Sequence, residues 1–239
     1  MQFAKLEWIN NQPHSIDFND VYFNSQNGLQ ETEYIFIEHN QLKARFSPLE
    51  KESFTVIETG FGTGLNFLAV AAHWLALAPA YAQLHYLSIE KYPLTLTDLK
   101  RAHACWSQFS TISNELAKHY ALLKAGKNVF NMIGDRIQLA LQVDDISIAL
   151  PLISQKADAW LLDGFSPARN AEMWSEKVFQ HIAKLSNPNA TYATFTSASA
   201  VRRGLQAVGF QVKKHAGFGK KREMLSGIFA ADAPMIKHD

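Results

Sequence analysis

Three glycines stand at every second position in VIETGFGTGLNFLAV, residues 56–70, between two apolar runs. Closely spaced glycines are needed only where backbone turns tightly or where another group comes into contact with it. The run before them is β-branched and the run after them has helical length, so the stretch reads as strand, loop and helix start. That combination constrains the chain to an α/β arrangement in which the helix N-terminus offers unpaired N–H groups beside the loop. The approaching group is a dinucleotide, a phosphate, another cofactor or merely a neighbouring strand. The pattern is G-x-G-x-G, with Leu65 where the dinucleotide fingerprint G-x-G-x-x-G has its last glycine, which argues against a nicotinamide or flavin dinucleotide.

The rest of the chain repeats the rhythm. FTVIE leads into the glycines and a helix to about Leu77, and LHYLSIE ends in Glu90 before a helix from about Leu94. VFNMIGD reads as a third strand ending near Asp135, and DAWLLDG as a fourth ending at Asp163, followed by the helical MWSEKVFQHIAKLS. ATYATFT is a fifth strand, with SAVRRGLQAVGF as its helix, and QVKKHA and EMLSGIFA close the chain as an antiparallel edge pair. This alternation predicts a mostly parallel sheet with helices on both faces. The first 50 residues differ: EYIFIEHNQLKARF has two alternating runs around His39 and Asn40, which predicts a β-hairpin, and the segment before it is loop-like. The expected organisation is an N-terminal extension over residues 1–50 and an α/β domain over residues 51–239.

Other classes find little support. The single cysteine, Cys105, excludes an internal disulfide and suits a reducing cytoplasm. No secretory signal is visible at the start, and the apolar segment from Phe67 to Ala82 is interrupted by His73 and Pro79, so a cytoplasmic protein without a membrane partner is expected. The nine histidines are scattered, with no H-E-x-x-H and no cysteine pair, so no metal site is expected. A G-x-S-x-G elbow and a Walker lysine are also missing. Charge is uneven: residues 1–195 carry 15 Lys or Arg against 19 Asp or Glu, whereas residues 196–239 carry 8 against 3. A basic tail points to a polyanionic partner or to an ordinary solvated surface.

Ligands in open α/β sheets lie beyond the carboxyl ends of the strands, so the strand-end residues matter most. Glu58 precedes the glycine loop. Glu90, 26 residues after Gly64, is placed to accept hydrogen bonds from a ribose diol or else flanks a helix. Asp135 faces an adenine amino group or caps a helix. Asp163, in DAWLLDGFSPARNAEMW, emerges at the sheet edge before Gly164, Phe165 and Pro167, where it either works in the crevice or caps the next helix. A carboxylate followed by an aromatic ring and a proline resembles the loop by which amino-methylating enzymes hold a flat base. Arg202 and Arg203, and Lys220, Lys221 and Arg222 in GFGKKREM, suit phosphate contacts or a solvated turn.

DFNDVYFNSQNGLQETEYIF, ETGFGTGLNFL, DAWLLDGFSPARNAEMW, ATFTSASAVRRGLQAVGF and GFGKKREML occur in order from about Ile16 to Phe229. Together they resemble the methyltransferase part of the MnmC family, bifunctional bacterial enzymes of tRNA 5-methylaminomethyl-2-thiouridine biosynthesis. The resemblance implies a Rossmann-like S-adenosylmethionine-dependent methyltransferase fold with a seven-stranded, mostly parallel sheet and an antiparallel final strand. It implies methyl transfer from S-adenosylmethionine to the aminomethyl group of a wobble uridine in a tRNA anticodon loop. The bifunctional members also carry an FAD oxidase, but the chain shows no second G-x-G-x-x-G module, so a monomer using neither FAD nor metal is expected. It assigns Glu58, Gly60, Phe61, Gly62, Gly64, Asn66, Glu90, Lys91, Asp135 and Asp163 to the cofactor, with Asp163 also catalytic. Asp20, Tyr22, Phe165 and the five basic residues above fall to the substrate. Alternatives are a methyltransferase for a small-molecule amine, a nicotinamide-dependent oxidoreductase and a non-catalytic tRNA-binding module.

Overall fold

Apolar residues on both faces of a strand force it into the middle of a sheet, and the segments around residues 53–59 and 157–162 are of this kind. The computed structural model, which describes residues 1–24, 26–47 and 49–230, places them side by side at the centre of an eight-stranded sheet. Residues 231–239 of the expected second segment lie outside the described residues.

A small antiparallel sheet comes first, made of β1 (Leu6–Ile9), β2 (Gln12–Ser15) and β3 (Asp20–Val21). The helices α1 (Gly28–Thr32) and α2 (Leu42–Phe46) follow, linked by a π-helical turn over Glu33–Glu38. The large sheet is built from β4 (Ser53–Thr59), β5 (Gln83–Glu90), β6 (Gly126–Met132), β7 (Ile137–Val143), β8 (Ala157–Leu162), β9 (Ser186–Thr194), β10 (Phe210–Ala216) and β11 (Glu223–Phe229). Its order is β10-β11-β9-β8-β4-β5-β7-β6. The pairs among β9, β8, β4, β5 and β7 are parallel, and those involving β6 and β11 are antiparallel. Its helices are α3 (Leu65–Leu77), α4 (Leu96–His103), α5 (Ser110–Tyr120), α6 (Ile146–Ala149), α7 (Glu176–Lys184) and α8 (Ser199–Ala207).

Side-chain alternation divides the interior into two cores. In β8, Ala159 and Leu161 face the core shared with α3, α4 and α5, while Trp160 and Leu162 face that of α6, α7 and α8. Phe23, Ile35, Phe36, Ile37, Leu42 and Phe46 of the N-terminal segment enter the first of these cores.

Two expectations are corrected. The segment expected to form a hairpin around His39 and Asn40 is helical: Ile35, Phe36 and Ile37 are buried consecutively, and Leu42 and Phe46 share one buried helical face. The N-terminal hairpin exists but lies upstream, where Asn10 and Asn11 at φ 49° and 60° join β1 to β2. Asparagine tolerates this left-handed conformation, which two-residue hairpin turns require.

The sheet also has eight strands rather than seven. VFNM belongs to β6, an antiparallel edge strand that turns through Ile133, Gly134 and Asp135, all at positive φ, into β7. The third parallel strand is therefore IQLALQV, buried at six of its seven positions, and not VFNMIGD.

Candidate active site at the strand carboxyl ends

The chain leaves β4 toward β5 on one side and toward β8 on the other, so β4 is the point where strand order reverses. A crevice forms at the carboxyl ends of such strands. A cavity of about 740 Å³ occupies it, lined by the glycine loop, the ends of β5, β7 and β8, and side chains from α1 and from the loop between β10 and β11.

The glycines act by approach. Gly60 has φ 84°, and a Cβ there would lie 3.1 Å from the Gly164 Cα, so the loops after β4 and β8 touch backbone to backbone. A Cβ at Gly62, φ 53°, would lie 3.2 Å from the Tyr22 ring. Gly64 faces away from the cavity, beneath the Phe61 ring.

Glu90 anchors the loop. Its Oε2 accepts from the Gly62 N–H at 2.8 Å and its Oε1 from the Tyr92 N–H at 2.8 Å. Burial raises its carboxyl to about 6 against those donors. Each oxygen keeps a lone pair for a ligand hydroxyl. Lys91 lines the rim and pairs with Asp145 at 2.8 Å.

Asp163 follows β8 directly. Its Oδ1 accepts from the Gly164 N–H at 2.8 Å and its Oδ2 from the Asn66 amide at 2.7 Å. Burial raises it to about 6; the two donors and Lys221 pull it down and Glu31 pushes it up. The same Asn66 Nδ2 donates to Glu58 Oε1 at 3.0 Å, and Thr32 Oγ1 donates to Asn66 Oδ1 at 2.9 Å. Asn66 is thereby fixed in orientation, one amide between two carboxylates. Glu58, fully buried, accepts also from Ser88 Oγ at 2.7 Å. Burial, with the Asp163 charge adding to it, raises Glu58 to about 8. Glu58 thus sits behind Asn66 and off the cavity wall.

An aromatic group borders Asp163. Phe165 stacks on Phe18 with centroids 4.4 Å apart, and Tyr22 meets it edge-on at 5.2 Å. Asp20 lines the wall and approaches Arg169 at 3.9 Å. Of the basic residues, Lys220 and Lys221 line the cavity, whereas Arg222 and the α8 residues Arg202 and Arg203 do not.

Asp135 is misplaced by the sequence reading. It sits in the β6–β7 turn at the amino end of β7, its carbonyl accepting from the Gln83 side chain at 2.7 Å. Seven strand residues, about 20 Å, separate it from the crevice. Asp144 and Asp145 hold the position at the carboxyl end of β7 and line the cavity. Asp145 caps α6 through Ser147 N–H at 2.9 Å, while Asp144 accepts only from the Asp145 N–H, at 2.8 Å, among the described residues. The pair of acids after the apolar run in IQLALQVDD carried the signal. Glu31, Thr32, Phe195 and Phe218 are further wall residues that were not among the expected site residues, although they lie within DFNDVYFNSQNGLQETEYIF, ATFTSASAVRRGLQAVGF and GFGKKREML.

These features fit an adenosyl cofactor: a cradle open to backbone approach, a carboxylate with spare acceptors at β5, and a second at β7. Among the described residues no group of three His, Cys, Asp or Glu is placed to hold a metal, and no helix is long and apolar enough to cross a membrane.

Comparison with known proteins agrees with this geometry. The family model described as S-adenosyl-L-methionine-dependent methyltransferase matches residues 107–230. The tRNA 5-methylaminomethyl-2-thiouridine biosynthesis bifunctional protein MnmC of Methylobacillus flagellatus is 48% identical over 95% of this chain and 35% of its own length. The protein of the same name from Aeromonas hydrophila is 48% identical over 98% of this chain and 36% of its own. The chain thus spans about a third of the length of the curated relatives it matches. The solved structure of MNMC2 from Aquifex Aeolicus shares the fold, with a TM-score of 0.75 and 19% identity over 100% of this chain and 74% of that one. The chain belongs to the S-adenosyl-L-methionine-dependent methyltransferase family.

Proposed function

We propose that this methyltransferase moves a methyl group from S-adenosylmethionine to the primary amine of an aminomethyl group on the wobble uridine of tRNA. The observation that carries the reading is Asp163: a half-buried carboxylate on the cavity wall, oriented by Gly164 and Asn66, next to the stacked Phe165 and Phe18 rings.

When bound, S-adenosylmethionine supplies an electrophilic methyl group on a sulfonium. Glu90 is assigned to its ribose hydroxyls, the Gly60–Gly62 backbone to its close approach, and Asp144, in place of Asp135, to the adenine edge. The chain's remaining task is to present an amine lone pair. An alkylamine has a reference pKa near that of lysine, about 10.4, and arrives as ammonium. Asp163 accepts a hydrogen bond from that ammonium and takes up its proton, while Asn66 and Gly164 keep the carboxylate in place. Raising Asp163 to about 6 narrows its gap to the amine, which favours this transfer. Phe165, backed by Phe18, forms a shelf for the flat pyrimidine, worth about 1–3 kcal/mol. Arg202, Arg203, Lys220 and Arg222 are assigned to the RNA backbone, and the cytoplasm is the compartment such a substrate implies.

Nucleoside mass spectrometry of aminomethyl-bearing tRNA, incubated with protein and cofactor, tests the reading through the gain of one methylene on the modified uridine. Methylation of free small amines with no turnover on tRNA refutes the RNA assignment. Single-turnover methylation by Asp163→Ala at the native rate refutes the role of Asp163.

A further inference from the structure

The wall of the cavity carries an ammonium group of the chain's own. Lys221 Nζ lies 2.7 Å from Glu31 Oε1 and 4.6 Å from the centroid of the Phe195 ring. All three residues line the same cavity as Asp163 and Asn66. Glu31 is tied to the reacting centre through its neighbour Thr32, whose hydroxyl holds Asn66, which in turn holds Asp163. Glu31 is about a quarter exposed, so its charge is only partly satisfied by water.

A carboxylate beside an aromatic face is the arrangement that recognises a –CH2–NH3⁺ group, by a charge-assisted hydrogen bond and a cation–π contact together. Lysine and an aminomethyl arm share that terminal chemistry. Lys221 comes from the loop between β10 and β11, where Gly217 and Gly219 flank Phe218, and it is exposed like its neighbours Lys220 and Arg222, its side chain 46% accessible and free to swing away.

We propose that Glu31 and Phe195 form a subsite for the primary ammonium of the substrate, and that Lys221 is its resident stand-in, displaced when the substrate amine arrives. The subsite takes up the ammonium form and delivers it toward Asp163, which acts on the proton. It confers selectivity for a cationic arm over an uncharged arm of the same size. The assignment rests on the reading of this cavity as an amine methyltransferase site.

The test measures binding of two nucleosides, 5-aminomethyluridine and 5-hydroxymethyluridine, to the full chain saturated with S-adenosylhomocysteine, by equilibrium dialysis. Lys221→Met is expected to tighten the aminomethyl nucleoside 3- to 10-fold by removing a competitor, and to leave the hydroxymethyl nucleoside unchanged. Glu31→Gln is expected to weaken the aminomethyl nucleoside about 10-fold and cut the preference by the same factor, leaving the part that Asp163 supplies, and the double variant to match Glu31→Gln alone. Circular dichroism and retained S-adenosylhomocysteine binding establish that each variant is folded. If the native chain prefers the aminomethyl nucleoside and Glu31→Gln keeps that preference undiminished, or Lys221→Met weakens it, the subsite is refuted and the amine reaction stands. If the native chain itself shows no preference, the amine reading falls with it.

Discussion

Replacing Asn66 with alanine separates the effect of orientation from that of charge. Asn66 gives one hydrogen bond to Asp163 at 2.7 Å and one to Glu58 at 3.0 Å, and accepts one from Thr32. A hydrogen bond to an ionised group contributes about 1.5–3 kcal/mol, and 1.36 kcal/mol corresponds to one pKa unit. Asp163 keeps its bond from Gly164 but loses the one from Asn66, so its pKa rises from about 6 by roughly 1–2 units. At pH 7 its ionised fraction falls from about 90% to between about 50% and 10%. Single-turnover transfer of labelled methyl to aminomethyl-bearing tRNA, followed from pH 5.5 to 9.5, reads this directly. The acid limb of the profile is expected to move up by the same amount, with the rate recovering at high pH. The substrate amine is common to both enzymes, so its own titration cancels in the comparison. Coincident acid limbs, with Asn66→Ala slower by one factor at every pH, refute the reasoning and leave Asn66 a packing residue. Denaturation by urea is expected to show a loss of about 2–4 kcal/mol as well, because Glu58 and Thr32 lose buried partners.

Asp144→Asn is expected to weaken S-adenosylhomocysteine binding about 10-fold in calorimetry, whereas Asp135→Asn, in the distant hairpin turn, changes it less than twofold. Glu58, Glu90 and Asp163 are raised to about 8, 6 and 6, so the native chain binds more protons than the unfolded chain from about pH 4 to 8. Their contribution to stability is therefore full below the unfolded values and lost as pH rises through the folded ones. Urea midpoints of the cofactor-free chain should fall from pH 5.5 to 8.5, and Glu58→Gln should flatten the upper part of that fall; a slope unchanged in Glu58→Gln contradicts the assignment. Gly62→Ala places a Cβ 3.2 Å from the Tyr22 ring at φ 53°, so a loss of about 1–2 kcal/mol in thermal stability is expected, with weaker cofactor binding. Thermal midpoint and affinity both at native values would remove the close-approach account of that glycine.

The parts of this architecture that were legible in the sequence are those whose signal is local. The glycine loop stands out by its spacing, β5 and α7 carry periodic apolar patterns, and the apolar AWLL of β8 leads straight into Asp163. The errors arose where one local pattern serves two structures. EYIFIEHNQLKARF alternates well enough for strands, but its apolar residues are buried on several sides, and tertiary packing against β4 and α3 decides for helix. VFNM and IQLALQV are both strand-like; only the Gly-Asp turn between them marks a hairpin, and missing it moved one site acid to the wrong end of the sheet. Glu31, Thr32 and Phe195 lie in segments that carry the resemblance, but no local pattern shows that residues 31 and 195 face one cavity. Their meeting depends on α1 folding over the crevice.

The acids at this sheet edge share a physical logic. A carboxylate drawn out of water is unfavourable in the free protein, and at this edge burial raises three of them, with Asp163 adding to Glu58 and Glu31 to Asp163. A chain selected for stability alone would do better with apolar residues there, as the rest of β4 and β8 shows. The compensation has to come from a partner of opposite character. For Glu90 that partner is a hydrogen-bond donor at the loop; for Asp163 and Glu31 it is a cation. Within the chain, Lys221 already fills half of that role, bound to Glu31 and lowering Asp163 from outside. The same reasoning explains why Glu58 lies behind Asn66 and not in the cavity. Held near 8, it remains protonated at neutral pH, so it supports Asn66 without placing a second charge against Asp163, and Asp163 remains the carboxylate on that side of Asn66 that ionises.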